Sequence, residues 1–214
     1  MLNKMNLPNK LTMLRIILVP LFIICLSIHE SFFESLEIDN GTTIMGWVAL
    51  AIFVIAALTD CLDGRISRSQ GIVTKFGKIM DPLADKLLVS AGFIMLTGLG
   101  VVPAYVTAIV VFRDFIVNAL RMFGSDNSKD LAAGLSGKVK TLFQMLAITL
   151  ALVSYTVSPT VSMFAFIENS LTMDTIELVI NVAMSIAVLA TLIATIWSFV
   201  DYFVRFKEDI DVEN

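Results

Sequence analysis

The chain has 214 residues, 57% hydrophobic and only 16% charged, with a mean hydropathy of +0.86 and a formal net charge of −4. A water-soluble domain carries roughly a quarter of its residues as charged side chains, so an ordinary soluble globule is excluded. There is no excess of positive charge to hold a polyanion, and nucleic acid is not an expected partner.

In chain order, six apolar runs approach the roughly 20 residues that cross a bilayer as a helix. They cover 11–28, 44–62, 82–99, 101–123, 139–157 and 176–203. Irregular backbone is not tolerated against lipid, so the expected fold is all-α: six transmembrane helices packed as one bundle. The first run has no small-residue cleavage site and is expected to be a retained span. No repeat or low-complexity segment marks a second domain. A single membrane domain over 1–214 is expected, with a juxtamembrane segment at 1–10 and a fraying acidic tail at 205–214.

Lysine and arginine placement orients the bundle. None of the 15 lies in 16–64, 87–112 or 141–204. With six crossings every basic segment falls on one face. Both termini are therefore expected in the cytoplasm, with loops 29–43, 98–101 and 158–175 outside. Cys25 and Cys61 lie in or beside apolar runs, so a disulfide is not expected. Together with His29, the one histidine, they cannot build a zinc site.

The second run ends on Asp60 and Asp63 and the third begins around Asp81 and Asp85. On helices, spacings of three and four put each pair on one face. If the two helices are antiparallel neighbours, the four carboxylates converge at the cytoplasmic surface. So many like charges need cations, and Asp60 and Asp63 are further disfavoured if a helix C-terminus lies close by. Simpler readings exist for single residues: Asp81 as an N-cap with Pro82 at N1, Asp85 and Lys86 as a solvated face. None explains all four aspartates. Four carboxylates without His or Cys make a hard oxygen site that selects Mg2+ or Mn2+, enough for two ions. Two such ions suit displacement at phosphorus. Gly64 and Gly77 allow a phosphorylated ligand close to the backbone, and Arg68 offers a fork for a diphosphate.

Further along, Arg113 lies eight residues deeper in the fourth run than Arg121, about 12 Å of helix. A guanidinium at that depth needs a water-filled cavity or an anion. Pairing with Asp114 is expected to be poor, because adjacent residues do not share a helix face. Lys138 and Lys140 open the fifth run, where an anion gains from both the lysines and the backbone N–H groups. Arg121 also reads as a positive-inside anchor. These cations together point to a pocket for a phosphate-bearing acceptor.

The run Asp60-x-x-Asp63-Gly64-x-x-Ser67-Arg68, followed by Gly77-x-x-x-Asp81-x-x-x-Asp85, resembles the signature of the CDP-alcohol phosphotransferases. Ser67 departs from the alanine usual there. The resemblance implies a six-helix membrane enzyme, usually a homodimer, in which an acceptor hydroxyl attacks the β-phosphorus of a CDP-linked substrate and CMP leaves. Asp60, Asp63 and Asp81 would be metal ligands, and Asp85 both ligand and general base. Gly64, Arg68 and Thr74 match positions that hold CDP. The segments "NLPNKLTMLRIILVP", "FRDFIVNALR" and "GKVKTLFQMLAI" resemble the bacterial phosphatidylglycerophosphate synthases. That likeness implies CDP-diacylglycerol as donor and sn-glycerol 3-phosphate as acceptor, at the cytoplasmic side of the plasma membrane. Arg113, Lys138, Arg121 and Lys140, in falling order, would hold the acceptor phosphate. Asn9, Thr12 and Arg15 form an N-x-x-T-x-x-R pattern that lies near the nucleotide in the family, although Asn9 also reads as a helix cap and Arg15 as an anchor. Rival readings are a cardiolipin synthase of the same superfamily, a divalent-cation transporter, or a membrane scaffold. A transporter predicts charges spread through the membrane depth, and here they bunch at one face.

Overall fold

The computed structural model describes residues 7–28, 41–70, 75–124, 135–164 and 170–211, and side chains for 10–28, 43–59, 84, 86–120, 136–157 and 175–204. The described residues form six helices and no sheet: α1 Leu7–Ser27, α2 Gly41–Gln70, α3 Lys75–Gly98, α4 Ala104–Gly124, α5 Leu135–Phe164 and α6 Ser170–Asp211. Three contain stretches long and apolar enough to cross a membrane: Lys10–Ser27, Ser136–Val157 and Thr175–Val204. Shorter apolar stretches lie at Thr43–Thr59 in α2 and Lys86–Gly98 in α3 among the described residues.

Helix ends differ from the expected ones in an informative way. α2 continues past Asp60 and Asp63 to Gln70, two turns beyond Asp63. The dipole penalty expected for a nearby C-terminus does not apply there, since it fades within the last turn. α3 starts at Lys75, so Asp81 and Pro82 lie inside the helix and not at its N-cap and N1. Asn9 is likewise within the first turn of α1, which rules out the cap reading. At the other end α6 carries the acidic tail on as helix to Asp211. In each case a charged or polar segment continues the helix that an apolar window ends.

The α3–α4 turn shows the opposite case, a helix stopped sharply. Gly100 takes φ +73°, which a side chain disfavours. Its N–H bonds Thr97 O at 3.0 Å and Val101 N–H bonds Leu96 O at 2.9 Å, the paired closure of a Schellman motif. Pro103 then precedes α4 and offers its carbonyl to Val106 N–H at 3.0 Å.

In the bundle, α1 packs against α2 and α3, α5 against α2, α3 and α6, and α4 against α3 and α6. The expectation that α2 and α3 are close antiparallel neighbours needs correcting: they touch only slightly, and α1 and α5 each lie against both. Close approach comes from small residues, as is usual where no water drives helices together. A Cβ on Gly46 would meet Thr156 Cγ2 at 2.6 Å, and one on Gly92 would meet Ile148 Cδ1 at 2.9 Å. Phe22 and Phe53 fill the α1–α2 contact with ring centroids 5.8 Å apart. Phe93, Leu96, Ile148 and Leu152 complete the apolar core. Large apolar side chains also face outward at helical spacing, such as Ile17, Leu21 and Ile24 on α1 and Ile186, Leu189, Ile193 and Ile196 on α6. An apolar exterior on an apolar core fits a lipid surrounding.

Candidate functional site

The space left by the poorly paired α2 and α3 is a cavity of about 800 Å³ bounded by four helices. That is ample for a small phosphorylated ligand. α2 lines it with Val54, Ala57 and Leu58, α3 with Lys86 and Val89, and α4 with Arg113, Asp114 and Val117. α5 supplies Lys138, Lys140, Thr141, Gln144 and Met145 among others. Among the described residues on this wall, four cations face one carboxylate. In a low-dielectric setting that imbalance concentrates anions.

Arg113, Asp114, Lys140 and Lys86 are held by bonds to one another and to neighbouring helices. Arg113 is 9% exposed. Its Nη2 donates to Ser198 Oγ at 2.6 Å and to Ser198 O at 3.4 Å, both on α6, and its Nη1 donates to Asp114 Oδ1 at 3.1 Å. The Arg113–Asp114 pairing contradicts the face argument made from sequence. Cα spacing separates adjacent residues, yet the arginine side chain is long enough to fold back across the turn. Lys140 forms a second ion pair with the same Asp114 oxygen. Lys86 donates from Nζ to the Asp114 carbonyl at 3.3 Å, so it is not part of a solvated face. Asp114 thereby ties α3, α4 and α5 together, and Arg113 adds α6.

Two polar atoms on this wall lack hydrogen-bond partners among the described residues: Arg113 Nε and Gln144 Nε2. Gln144 is 1% exposed. An amide buried without a partner costs about 1–3 kcal/mol.

Of the expected acceptor-phosphate residues, Arg113, Lys138 and Lys140 come together on the cavity wall, with Lys138 exposed and Lys140 buried. Arg121 is on α4, and its side chain lies outside the described set. Asp60, Asp63, Gly64 and Arg68 are on α2, and Gly77, Asp81 and Asp85 on α3. Their side chains, like that of Asn9, also lie outside it. Thr74 lies outside the described residues altogether. The α3 backbone sets Asp85 directly before the cavity residue Lys86. On α1, Thr12 and Arg15 are both completely buried on one face, which a mere interfacial anchor would not be. Cys25 is a free thiol.

Sequence reasoning overlooked Ser198 and Gln144 as parts of this site. A glutamine inside "LFQMLAI" is a polar residue in an apolar span, which is itself a signal of function. Ser198 gives no such signal, since a serine in a helix can bond its own backbone.

A family model described as CDP-alcohol phosphatidyltransferase matches residues 5–197. Among named relatives, the CDP-diacylglycerol–glycerol-3-phosphate 3-phosphatidyltransferase of Bacillus subtilis is 40% identical over 145 residues, 67% of this chain and 75% of the relative. The protein of the same name from Rickettsia felis is 35% identical over 145 residues, 68% of this chain and 74% of its own. A probable phosphatidylglycerophosphate synthase of Mycobacterium tuberculosis is 36% identical over 145 residues, with 68% of this chain and 65% of the relative covered. The four aspartates and all the cavity cations fall inside the matched stretch, and Ser198 lies one residue beyond it. With that pattern on α2 and α3 and a cation-lined cavity beside it, the chain belongs to the CDP-alcohol phosphatidyltransferase family.

Proposed function

We propose that the chain transfers the phosphatidyl group of CDP-diacylglycerol to sn-glycerol 3-phosphate, giving phosphatidylglycerol phosphate and CMP. The observation that carries this is the cavity in which Lys86, Arg113, Lys138 and Lys140 surround a space beginning one residue from Asp85. A neutral alcohol gives no reason for four cations around one space, with Arg113 and Lys140 among them buried. The names of the relatives from Bacillus and Rickettsia point the same way.

Asp60, Asp63, Asp81 and Asp85 are an all-carboxylate donor set on two continuous helices, and that chemistry fits Mg2+ or Mn2+. They would hold two such ions, which when bound polarise the diphosphate and stabilise its departing charge. Arg113, Lys138, Lys140 and Arg121 hold the acceptor phosphate, so that its terminal hydroxyl is presented to the aspartates. Asp85 takes the proton of that hydroxyl. The oxygen then forms a bond to the β-phosphorus as the bond to the α-phosphate oxygen breaks, and CMP departs with the electron pair. Arg68 and Thr74, with Asn9 and Thr12 from α1, bind the CDP group, and Gly64 and Gly77 admit it close to the backbone. Positioning of this kind can supply much of the rate in a displacement that needs little else from the protein.

In this reading all six helices cross the plasma membrane, both termini and the aspartates face the cytoplasm, and the chain is one domain that acts as a homodimer. The test is transfer in proteoliposomes. Radiolabelled glycerol 3-phosphate is expected to enter lipid only when CDP-diacylglycerol is present, with one CMP released per lipid formed. Label that stays in water while CMP is released and the phosphatidyl group passes to another acceptor would overturn the acceptor assignment.

A further inference from the structure

The scheme above gives Arg113, Lys138 and Lys140 a task and leaves one buried neutral polar side chain of the same wall without any. Gln144 lies one turn beyond Lys140 on the same face of α5, against the cavity, with Nε2 buried and without a partner among the described residues. The other uncharged donors on this wall are already engaged. The Thr141 hydroxyl donates to Gly137 O at 3.1 Å, and the Thr149 hydroxyl donates to Met145 O at 2.8 Å. Each closes on the backbone of its own helix, as hydroxyls in apolar helices commonly do. An amide cannot do this so readily, and its donor is left without a partner among the described residues, on a residue that lines the cavity.

We infer that Gln144 is a specificity-determining residue whose amide donates to the non-reacting hydroxyl of the acceptor. The inference rests on the acceptor reading proposed above. A phosphate is served by the cations around Arg113, where charge-assisted bonds are stronger. A neutral amide matches a neutral hydroxyl, and glycerol 3-phosphate retains one at C2 while its terminal hydroxyl reacts. A site with a buried donor for a hydroxyl discriminates against a ligand that lacks it, because the donor is then left unpaired.

The experiment compares sn-glycerol 3-phosphate with 3-hydroxypropyl phosphate, which keeps the phosphate and the terminal hydroxyl and lacks only the one at C2. Full-length enzyme in proteoliposomes is expected to favour the first by about ten-fold or more in kcat/KM. Gln144→Met, similar in length and without a donor, is expected to bring the ratio close to one by lowering the rate with glycerol 3-phosphate alone. Gln144→Leu serves as a second variant, and the wild-type ratio needs no variant at all. A wild-type ratio near one, or an undiminished ratio in both variants, overturns the role of Gln144 and leaves the acceptor assignment standing. If neither phosphate enters lipid, the acceptor assignment fails and this inference falls with it.

Discussion

Around Phe22, Phe53, Phe93 and Ile148 the bundle closes its polar atoms on themselves, whereas around Arg113 and Gln144 it holds donors open. In the apolar region Thr156 bonds Leu152 O at 2.9 Å, and Thr97 and Thr107 share a hydrogen bond at 2.6 Å. Glycines let the helices meet there, and the space is filled by rings and branched chains. In the other region α2 and α3 part, and an 800 Å³ cavity remains. Among the described residues Arg113 Nε and Gln144 Nε2 lack partners there, as does Thr195 Oγ1 on α6, one turn from Ser198. A fold selected only for stability has no reason to retain such groups, since each costs about 1–3 kcal/mol. Two demands thus divide the molecule. One region sets the helix positions, and the other spends stability on binding a charged, hydroxylated ligand.

That division predicts which substitutions affect activity and which affect stability. Asp85→Asn is expected to have the largest effect, lowering kcat by about 10²–10⁴-fold if it removes a general base. Binding of CDP-diacylglycerol, measured by calorimetry, is expected to persist because the other aspartates remain. Asp114→Ala is next. It leaves Arg113 and Lys140 buried without their shared carboxylate, and breaking such a pair costs about 3–5 kcal/mol. A large fall in the thermal midpoint in detergent is the expected readout. Gly92→Leu is expected to act on the apolar region, costing about 1–3 kcal/mol through overpacking against Ile148. Its turnover per folded molecule should match the wild type, and a loss of kcat at full folding would blur the boundary between the two regions. Ser198→Ala is the mildest. Losing one of the bonds that hold the guanidinium is expected to raise the KM for glycerol 3-phosphate a few-fold, in line with about 0.5–1.5 kcal/mol.

Much of the fold was legible in the sequence, and what was not has physical causes. Each apolar run coincides with a helix, because hydropathy reports which segments sit against lipid or core. The ends were misjudged where helices carry charge: α2 to Gln70, α3 from Lys75, α6 to Asp211. Hydropathy marks a medium, and a helix can leave that medium without ending. In the site, Arg113, Lys138 and Lys140 could be brought together from their depth and their nearness to helix starts. The Asp114 pairings could not. Spacing rules place Cα atoms, and a long side chain can reach past them. Ser198 is 85 residues from Arg113, and only the packing of α4 on α6 makes them partners.

The central claim is that the cavity around Arg113 binds the phosphate of the acceptor, and steady-state kinetics of Arg113→Ala test it most directly. The expected result is a KM for glycerol 3-phosphate raised about ten-fold or more, as for a lost charge-assisted bond, with the KM for CDP-diacylglycerol unchanged. An unchanged requirement for glycerol 3-phosphate, or an equal rise for both substrates, would contradict the account.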